Sequence, residues 1–337
     1  MMNKQIRYSI VVPVKHVNEY IEEHVRRFNL FTRQDIEIII LPNELSKVPE
    51  ESNRVRFLLT GKVSPAIKRD IGAKVSNGEY LVFLDDDAFV EESYFSILDS
   101  FYMVYPQSAT GGPGVTPKNS SLKQKASGAV YEDELLSSDS FRYVSKGKTR
   151  KVNDWPSVNF SIPKNLFIEI GGFDENYWPG EDTMLCRKLI SFGISIFYNP
   201  ELIAYHHRRE SLIGHMKQVA GYGLHRGHFA RLFPENSRRF KYFVPSVWNF
   251  YLISLLALMI FIFWFGVRLS KETIVTSSIP AFAYAIALLV AVAKIWKRYS
   301  LIVAILAIFY FPLTHIVYGT KFIRGFFSRR PFRSALR

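Results

Sequence analysis

From Ile274 to Ala293 the chain runs for 20 residues without a charged side chain. As a helix that run is about 30 Å long, the thickness of the hydrocarbon core of a bilayer. Phe243–Val267 is a second run of spanning length, and Leu301–Gly319 is a third, interrupted by Pro312 and His315. Such segments must be buried either in a protein core or in lipid. Two uncharged runs of this length are more than the core helices of a soluble chain ordinarily carry. The expectation is a membrane part over 241–337, made of about three apolar helical segments and a basic tail, preceded by a separate folded unit over 1–240.

The charge follows the same division. The chain carries a net +13. Residues 241–337 hold 12 Lys and Arg against one acid, Glu272, while the first 240 residues hold 31 basic and 29 acidic side chains. A nucleic-acid partner is therefore not expected, because the unit that would read it is nearly neutral. Basic flanks on apolar segments are instead what anionic lipid head groups attract. Residues 1–7 are polar and charged and the run Ile10–Val14 is too short for a signal-peptide core, so the first unit is expected in the cytosol, on the inner or plasma membrane. The single cysteine, Cys186, excludes an intrachain disulfide and sits in an apolar helical pattern that reads as core. Three full crossings would carry Lys321, Arg324 and Arg329 outside, against the positive-inside tendency. A re-entrant break at Pro312 would return the tail to the cytosol, which is the preferred arrangement.

The first hundred residues alternate strand and helix signals. Tyr8–Val12, Ile36–Leu41, Val55–Leu59 and Tyr80–Leu84 are short apolar runs rich in β-branched and aromatic residues. Between them Val17, Tyr20, Ile21, His24, Val25 and Phe28 recur at helical spacing, and Pro65 opens a second helix with Ile67, Ile71 and Val75 on one stripe. Alternation of this kind predicts an α/β unit with a mostly parallel, Rossmann-like sheet, whose ligands bind beyond the carboxyl ends of the strands. Lys118–Lys151 is dominated by Ser, Lys and Gly and reads as a mobile flap.

Three clusters could carry chemistry. Asp85-Asp86-Asp87 ends the fourth strand; adjacent carboxylates repel one another unless solvated, and a hard divalent cation such as Mg²⁺ or Mn²⁺ resolves the conflict. Asp85 and Asp87 share one side of an extended chain. Glu181-Asp182 follows Trp178-Pro179-Gly180 and opens a helix, where carboxylates serve either as caps on the macrodipole or as a general base. His206-His207-Arg208-Arg209 follows a strand-like run over Ile194–Tyr205; a neutral imidazole can complete a metal site, and the same residues also suit a plain surface. Arg226 would face a diphosphate or serve as an interfacial cation.

In their order these residues resemble the family 2 glycosyltransferases of GT-A fold, and within them the membrane-bound succinoglycan and exopolysaccharide enzymes. The resemblance rests on Val11-Val12-Pro13, Lys68-Arg69-Asp70-Ile71-Gly72-Ala73, Phe83-Leu84-Asp85-Asp86-Asp87, Gly171-Gly172-Phe173-Asp174-Glu175, Gly180-Glu181-Asp182 and His206, and covers residues 6 to about 230. His315-Ile316-Val317-Tyr318-Gly319 also resembles the C-terminal part of the exopolysaccharide members. The resemblance implies Asp87 on the metal, Asp85 on the metal shell or the nucleotide ribose with Asp86 beside it, Asp182 as catalytic base next to Glu181, and His206 on the metal, with His207 as the alternative. It places Pro13 and Lys68 at the nucleobase pocket. The second strand departs from the family, ending Leu41-Pro42-Asn43-Glu44 where an Asp pair is usual, so Asn43 or Glu44 would take that place; Asp70 stands where Asn is more usual.

What the resemblance implies is an inverting, Mn²⁺- or Mg²⁺-dependent glycosyltransferase. It would move a sugar from a nucleotide diphosphate donor, UDP favoured, to a lipid-linked glycan at the cytosolic membrane face. A polyprenyl-phosphate sugar synthase and a non-catalytic membrane scaffold are the alternatives; the Gln-x-x-Arg-Trp motif of processive synthases is absent after Gln218.

Overall fold

The computed structural model describes residues 5–44, 52–174 and 180–328. Within them the chain partitions into an α/β unit, residues up to Pro117 and Phe141–His207, and a helical unit, Lys118–Ser140 and from Arg208 onward.

The α/β unit contains strands β1 (Tyr8–Pro13), β2 (Ile36–Leu41), β3 (Val55–Phe57), β4 (Tyr80–Leu84), β5 (Ala88–Phe89), β6 (Ala109–Gly111), β7 (Gly114–Val115), β8 (Arg150–Val152), β9 (Asn159–Pro163), β10 (Ile196–Tyr198) and β11 (Ala204–His206). Eight of these form one sheet in the order β3-β2-β1-β4-β9-β6-β10-β8. β3, β2, β1 and β4 run parallel, as do β6 and β10, while β9 and β8 run antiparallel to their neighbours. β1, β2 and β4 are buried at every position, as continuous apolar strands covered on both faces must be.

Helices α1 (Glu19–Phe28), α2 (Pro65–Val75) and α3 (Ser93–Val104) follow the strands, with α5 (Lys164–Glu169) and α6 (Glu181–Ser191) later in the unit. One core joins Ile10, Val12, Ile38 and Ile40 to Ile21, Val25 and Phe28 of α1 and Phe95 and Leu98 of α3. The opposite core joins Val11, Ile39, Leu81 and Phe83 to Ala66 and Ala73 of α2 and Leu185, Cys186 and Leu189 of α6. The odd–even split along β1 and β2 is the period-two alternation of a pleated strand. Cys186 is fully buried, with its Sγ accepting from the Trp155 N–H at 3.3 Å, which is the expected core role.

One stretch differs from the sequence reading here. The expected strand over Ile194–Tyr205 is two strands, because Pro200 and the Leu202 N–H bond to Asn199 turn the chain between β10 and β11. That turn moves β11 into a second sheet, β5-β11-β7, in which His206 lies opposite Ala88.

The helical unit contains α4 (Leu122–Glu132), α7 (Leu212–Leu232), α8 (Pro234–Ser237), α9 (Phe240–Phe265), α10 (Lys271–Arg298) and α11 (Leu301–Phe327). The expected flap over Lys118–Lys151 is helical in its first part, Leu122–Glu132, and mostly turns after it. Ser121 and Gln124 form a capping box that starts α4, and Ala126, Ala129 and Val130 pack on Val303, Ala304 and Ala307 of α11. The small size of these apolar residues hid the helix among polar ones. Nor does Pro312 break the third apolar segment: α11 continues for 27 residues through it. Pro312 removes only one backbone donor, and packing on both sides holds the helix. Gly223 and Gly227 of α7 form a GxxxG pair against α11; a Cβ on Gly227 would lie 2.0 Å from the Phe322 carbonyl oxygen. α9, α10 and α11 are each long and apolar enough to cross a membrane. Arg329, Arg330, Arg333 and Arg337 of the expected tail, together with Trp178-Pro179 and Glu175, lie outside the described residues.

Candidate active site

β4 delivers the acidic triplet. Its apolar run ends at Leu84, and the bond from the Ala88 N–H to the Asp85 carbonyl, 3.1 Å, closes a turn. The chain therefore turns here and does not stay extended. The Asp85 carboxylate accepts from the Arg69 guanidinium at 2.6 Å. Asp86 accepts from the Asn18 amide at 3.1 Å. Asp87, buried, meets His206, whose Nε2 lies 3.1 Å from its Oδ1.

The pairing of β5 with β11 makes this last contact. It sets His206 opposite Ala88, and the His207 N–H donates to the Asp87 carbonyl at 2.9 Å. The His206 ring sits against Gly114 of β7, where a Cβ would stand 3.6 Å from Nδ1. Successive strand residues point to opposite faces, so His207 turns the other way: its Nε2 lies 2.9 Å from Glu23 and its ring stacks on Tyr20 of α1. Of the two histidines, His206 is the one beside the aspartates.

α6 brings the second carboxylate pair. Gly180, at φ +124°, turns the chain into the helix. Glu181 accepts from Arg69 at 3.1 Å and from the Gly180 N–H at 2.9 Å. Burial raises the Glu181 carboxyl above its ordinary range, and the neighbouring Asp182 adds to the rise. Asp182 is raised as well, by burial first, against the attraction of Arg69 and the hydrogen bonds from Ser157. Its Oδ1 is buried and has no hydrogen-bond partner among the described residues. A buried carboxylate oxygen left unpaired is costly unless something else supplies the proton donor.

Arg69 is the residue the sequence reading passed over. It lies on α2, 4% exposed, and its two terminal nitrogens join Asp85 to Glu181, which stand 96 positions apart in the sequence. The signal was present as a basic residue on the buried stripe of a helix, a position that demands a partner.

Lys68 uses all three of its donors within the fold: on the Val14 and Leu41 carbonyls at 2.6 and 2.9 Å, and on the Asn43 Oδ1 at 2.7 Å. Burial pulls its ammonium down to about 8, opposed by Asp86. Lys68 thus ties the ends of β1 and β2 together beside Pro13 and fixes Asn43. Glu44 pairs with His16 at 3.3 Å. Asp70 accepts from the Phe173 N–H at 3.0 Å and lies against Gly172, which takes φ +64°. It anchors the Gly171-Gly172-Phe173 turn that leads to α6. Arg226 belongs to the helical unit, donating to Ser237 at 3.1 Å and covering the Tyr242 ring.

No set of three or more His, Cys, Asp or Glu side chains converges as a metal cage among the described residues. The donor set fits a hard divalent ion in another way. Asp87 and His206 would supply two protein groups, and Mg²⁺-type ions are commonly held by one or two protein groups with substrate phosphates filling the rest.

Among known proteins, the chain is 26% identical over 167 residues to pre-mycofactocin glycosyltransferase of Mycobacterium tuberculosis, covering 47% of this chain and 33% of that one. The chain therefore spans about a third of that relative's length. It is 20% identical over 236 residues to a dolichyl N-acetyl-alpha-D-glucosaminyl phosphate 3-beta-D-2,3-diacetamido-2,3-dideoxy-beta-D-glucuronosyltransferase of Methanococcus voltae, covering 65% of this chain and 72% of that one. Among solved structures, GalNAc-T7 with UDP, GalNAc and Mn²⁺ matches at TM-score 0.48 and 15% identity, covering 71% of this chain and 52% of that one. A family model described as glycosyltransferase like family 2 matches residues 9–254, well over half of the chain, and the protein belongs to that family.

Proposed function

We propose that the protein is an inverting, metal-dependent glycosyltransferase. It takes the sugar from a nucleotide diphosphate donor, UDP-sugar favoured, and passes it to the hydroxyl of a lipid-linked glycan at the cytosolic face of the cell membrane. The observation that carries the reading is the Asp87–His206 contact at the end of β4, made by residues 119 positions apart. A Mg²⁺ or Mn²⁺ ion held there would neutralise the negative charge of the departing nucleoside diphosphate. Lys68, Pro13 and Asn43 shape the nucleobase end; Asp85 and Asp86 close the ribose side.

The acceptor O–H attacks the anomeric carbon as the carbon–oxygen bond to the diphosphate breaks. Asp182 receives the proton on its unpaired Oδ1. Its raised affinity for a proton, caused by burial, suits it as a base. Attack from the face opposite the leaving group inverts the anomeric centre, through an oxocarbenium-like transition state. Arg69 bonds both Asp85 and Glu181, the neighbour of Asp182, and so positions the base. A lipid-borne acceptor is supported by the three long apolar helices and by the lipid-linked acceptor in the name of the Methanococcus voltae relative.

The test is Asp182→Asn. Transfer to a hydroxyl acceptor should fall by at least about 10³-fold while nucleotide binding is kept. Unchanged turnover would remove Asp182 as the base, and turnover surviving only with polyprenyl phosphate would move the acceptor from hydroxyl to phosphate.

A further inference from the structure

Lys68 fixes which way round the Asn43 side chain stands. An ammonium has no lone pair and only donates. The Asn43 atom 2.7 Å from the Lys68 Nζ is therefore the amide oxygen, so chemistry settles the flip of the amide. The other two ammonium protons go to the Val14 and Leu41 carbonyls at 2.6 and 2.9 Å. The backbone holds the same place. The Asn43 N–H donates to the Lys15 carbonyl at 3.1 Å, and the Pro42 carbonyl accepts from the Thr60 N–H and Oγ1, both at 3.1 Å.

The Asn43 amide nitrogen makes no hydrogen bond among the described residues, and the residue is partly exposed. What the side chain offers outward is thus an N–H donor. The bond that Oδ1 accepts from Lys68 polarises the amide and strengthens that donor. An aspartate in this place would offer only acceptors.

Position decides what meets the donor. Asn43 follows β2 and Asp87 follows β4, with β1 between the two strands in the sheet. At about 4.8 Å per strand the two sites lie roughly 10 Å apart along the sheet. A diphosphate at Asp87 with the ribose beside it leaves the base edge farthest from the sugar at Asn43. That edge carries the group that separates the bases. Uracil and guanine have an oxo oxygen there, and cytosine and adenine have an amino group. A fixed N–H donor bonds the oxygen and opposes the amino N–H.

Resting on the nucleotide-donor reading above, we infer that the clamped Asn43 amide determines which bases the donor site takes: it admits oxo nucleotides, UDP or GDP, and rejects amino nucleotides, CDP or ADP. Lys68 is the positioning residue. With every proton spent inside the fold, it acts on the base only through Asn43.

The experiment is calorimetric binding of UDP, CDP, GDP and ADP to the detergent-purified full chain with Mn²⁺. It is run at pH 7, below the value of about 8 to which burial brings the Lys68 ammonium. Wild type should bind an oxo nucleotide at least about tenfold more tightly than the amino nucleotide of the same ring class. Asn43→Asp, which offers acceptors to the amino group, should cut that ratio at least about tenfold. Asn43→Ala, which offers neither donor nor acceptor, should bring it below about threefold. Both substitutions leave Lys68 its two carbonyl partners, so the fold is kept. Equal binding of the oxo and amino nucleotides by wild type, or a ratio unchanged in both variants, would overturn the inference alone. Binding of none of the four by folded wild type would overturn the nucleotide-donor reading, and the inference with it.

Discussion

Replacing Arg69 with methionine isolates the electrostatic logic of the site. Methionine nearly matches the length of the arginine stem, so packing in α2 is largely kept. What is lost is a cation shared by two carboxylates: Asp85 at 2.6 Å and Glu181 at 3.1 Å. Arg69 is 4% exposed and Glu181 is 6% exposed, so water does not replace the lost partner. Breaking a buried ion pair from one side costs about 3–5 kcal/mol. For a unit of this size each kcal/mol lowers Tm by roughly 2–4 °C, giving a loss on the order of 10 °C. The loss depends on pH. Without Arg69 the folded-state affinities of Glu181 and Asp182 for protons rise further. A group raised in the folded state contributes stability at low pH and loses it as pH rises through the raised value, so Arg69→Met should differ least from wild type near pH 5 and most near pH 8. The assay is thermal unfolding of the detergent-purified chain across that range. A variant as stable as wild type at pH 8, or one whose deficit grows as pH falls, would refute the argument.

Other expectations follow from single contacts. Burial pushes the Asp70 carboxyl from 3.8 up to about 6, a displacement worth at most about 3 kcal/mol and nearer 1–2 for a partly exposed group. Asp70→Asn keeps an oxygen for the Phe173 N–H and loses the charge, so it should stabilise the chain by that amount at pH 8 and give no gain at pH 4, measured by unfolding at both values. Gly227→Ala should destabilise the helical unit by about 1–3 kcal/mol, because its Cβ would meet the Phe322 carbonyl at 2.0 Å; a detergent melt checks it.

The parts of the fold that were legible were those where one face of an element had a single kind of neighbour. The triplet at the end of β4 stood out because a wholly apolar strand ended in three charges. α1 showed because Ile21, His24, Val25 and Phe28 recur at helical spacing on one core. α4 was hidden because its buried residues mix Ala126, Ser127, Gly128 and Ala129, which carry little hydropathy, with the polar Gln124 and Glu132. The choice between His206 and His207 depended on strand register, since a slip of one residue exchanges the faces, and only the pairing of β11 with β5 sets it. Arg69 showed no partner locally because both of its carboxylates come from other elements. Pro312 in α11 was misleading for a similar reason: the packing that carries the helix past it comes from α4 and α7.

The most direct measurement is calorimetric binding of UDP and GDP to the detergent-purified chain, with and without Mn²⁺, for wild type, Asp87→Asn and His206→Ala. The account predicts that one nucleotide binds to the wild type only when Mn²⁺ is present, and at least about tenfold more weakly to each variant, measured at a temperature where each is still folded. Binding of neither nucleotide by folded wild-type protein would contradict the account, as would Mn²⁺-dependent binding that survives both substitutions unchanged.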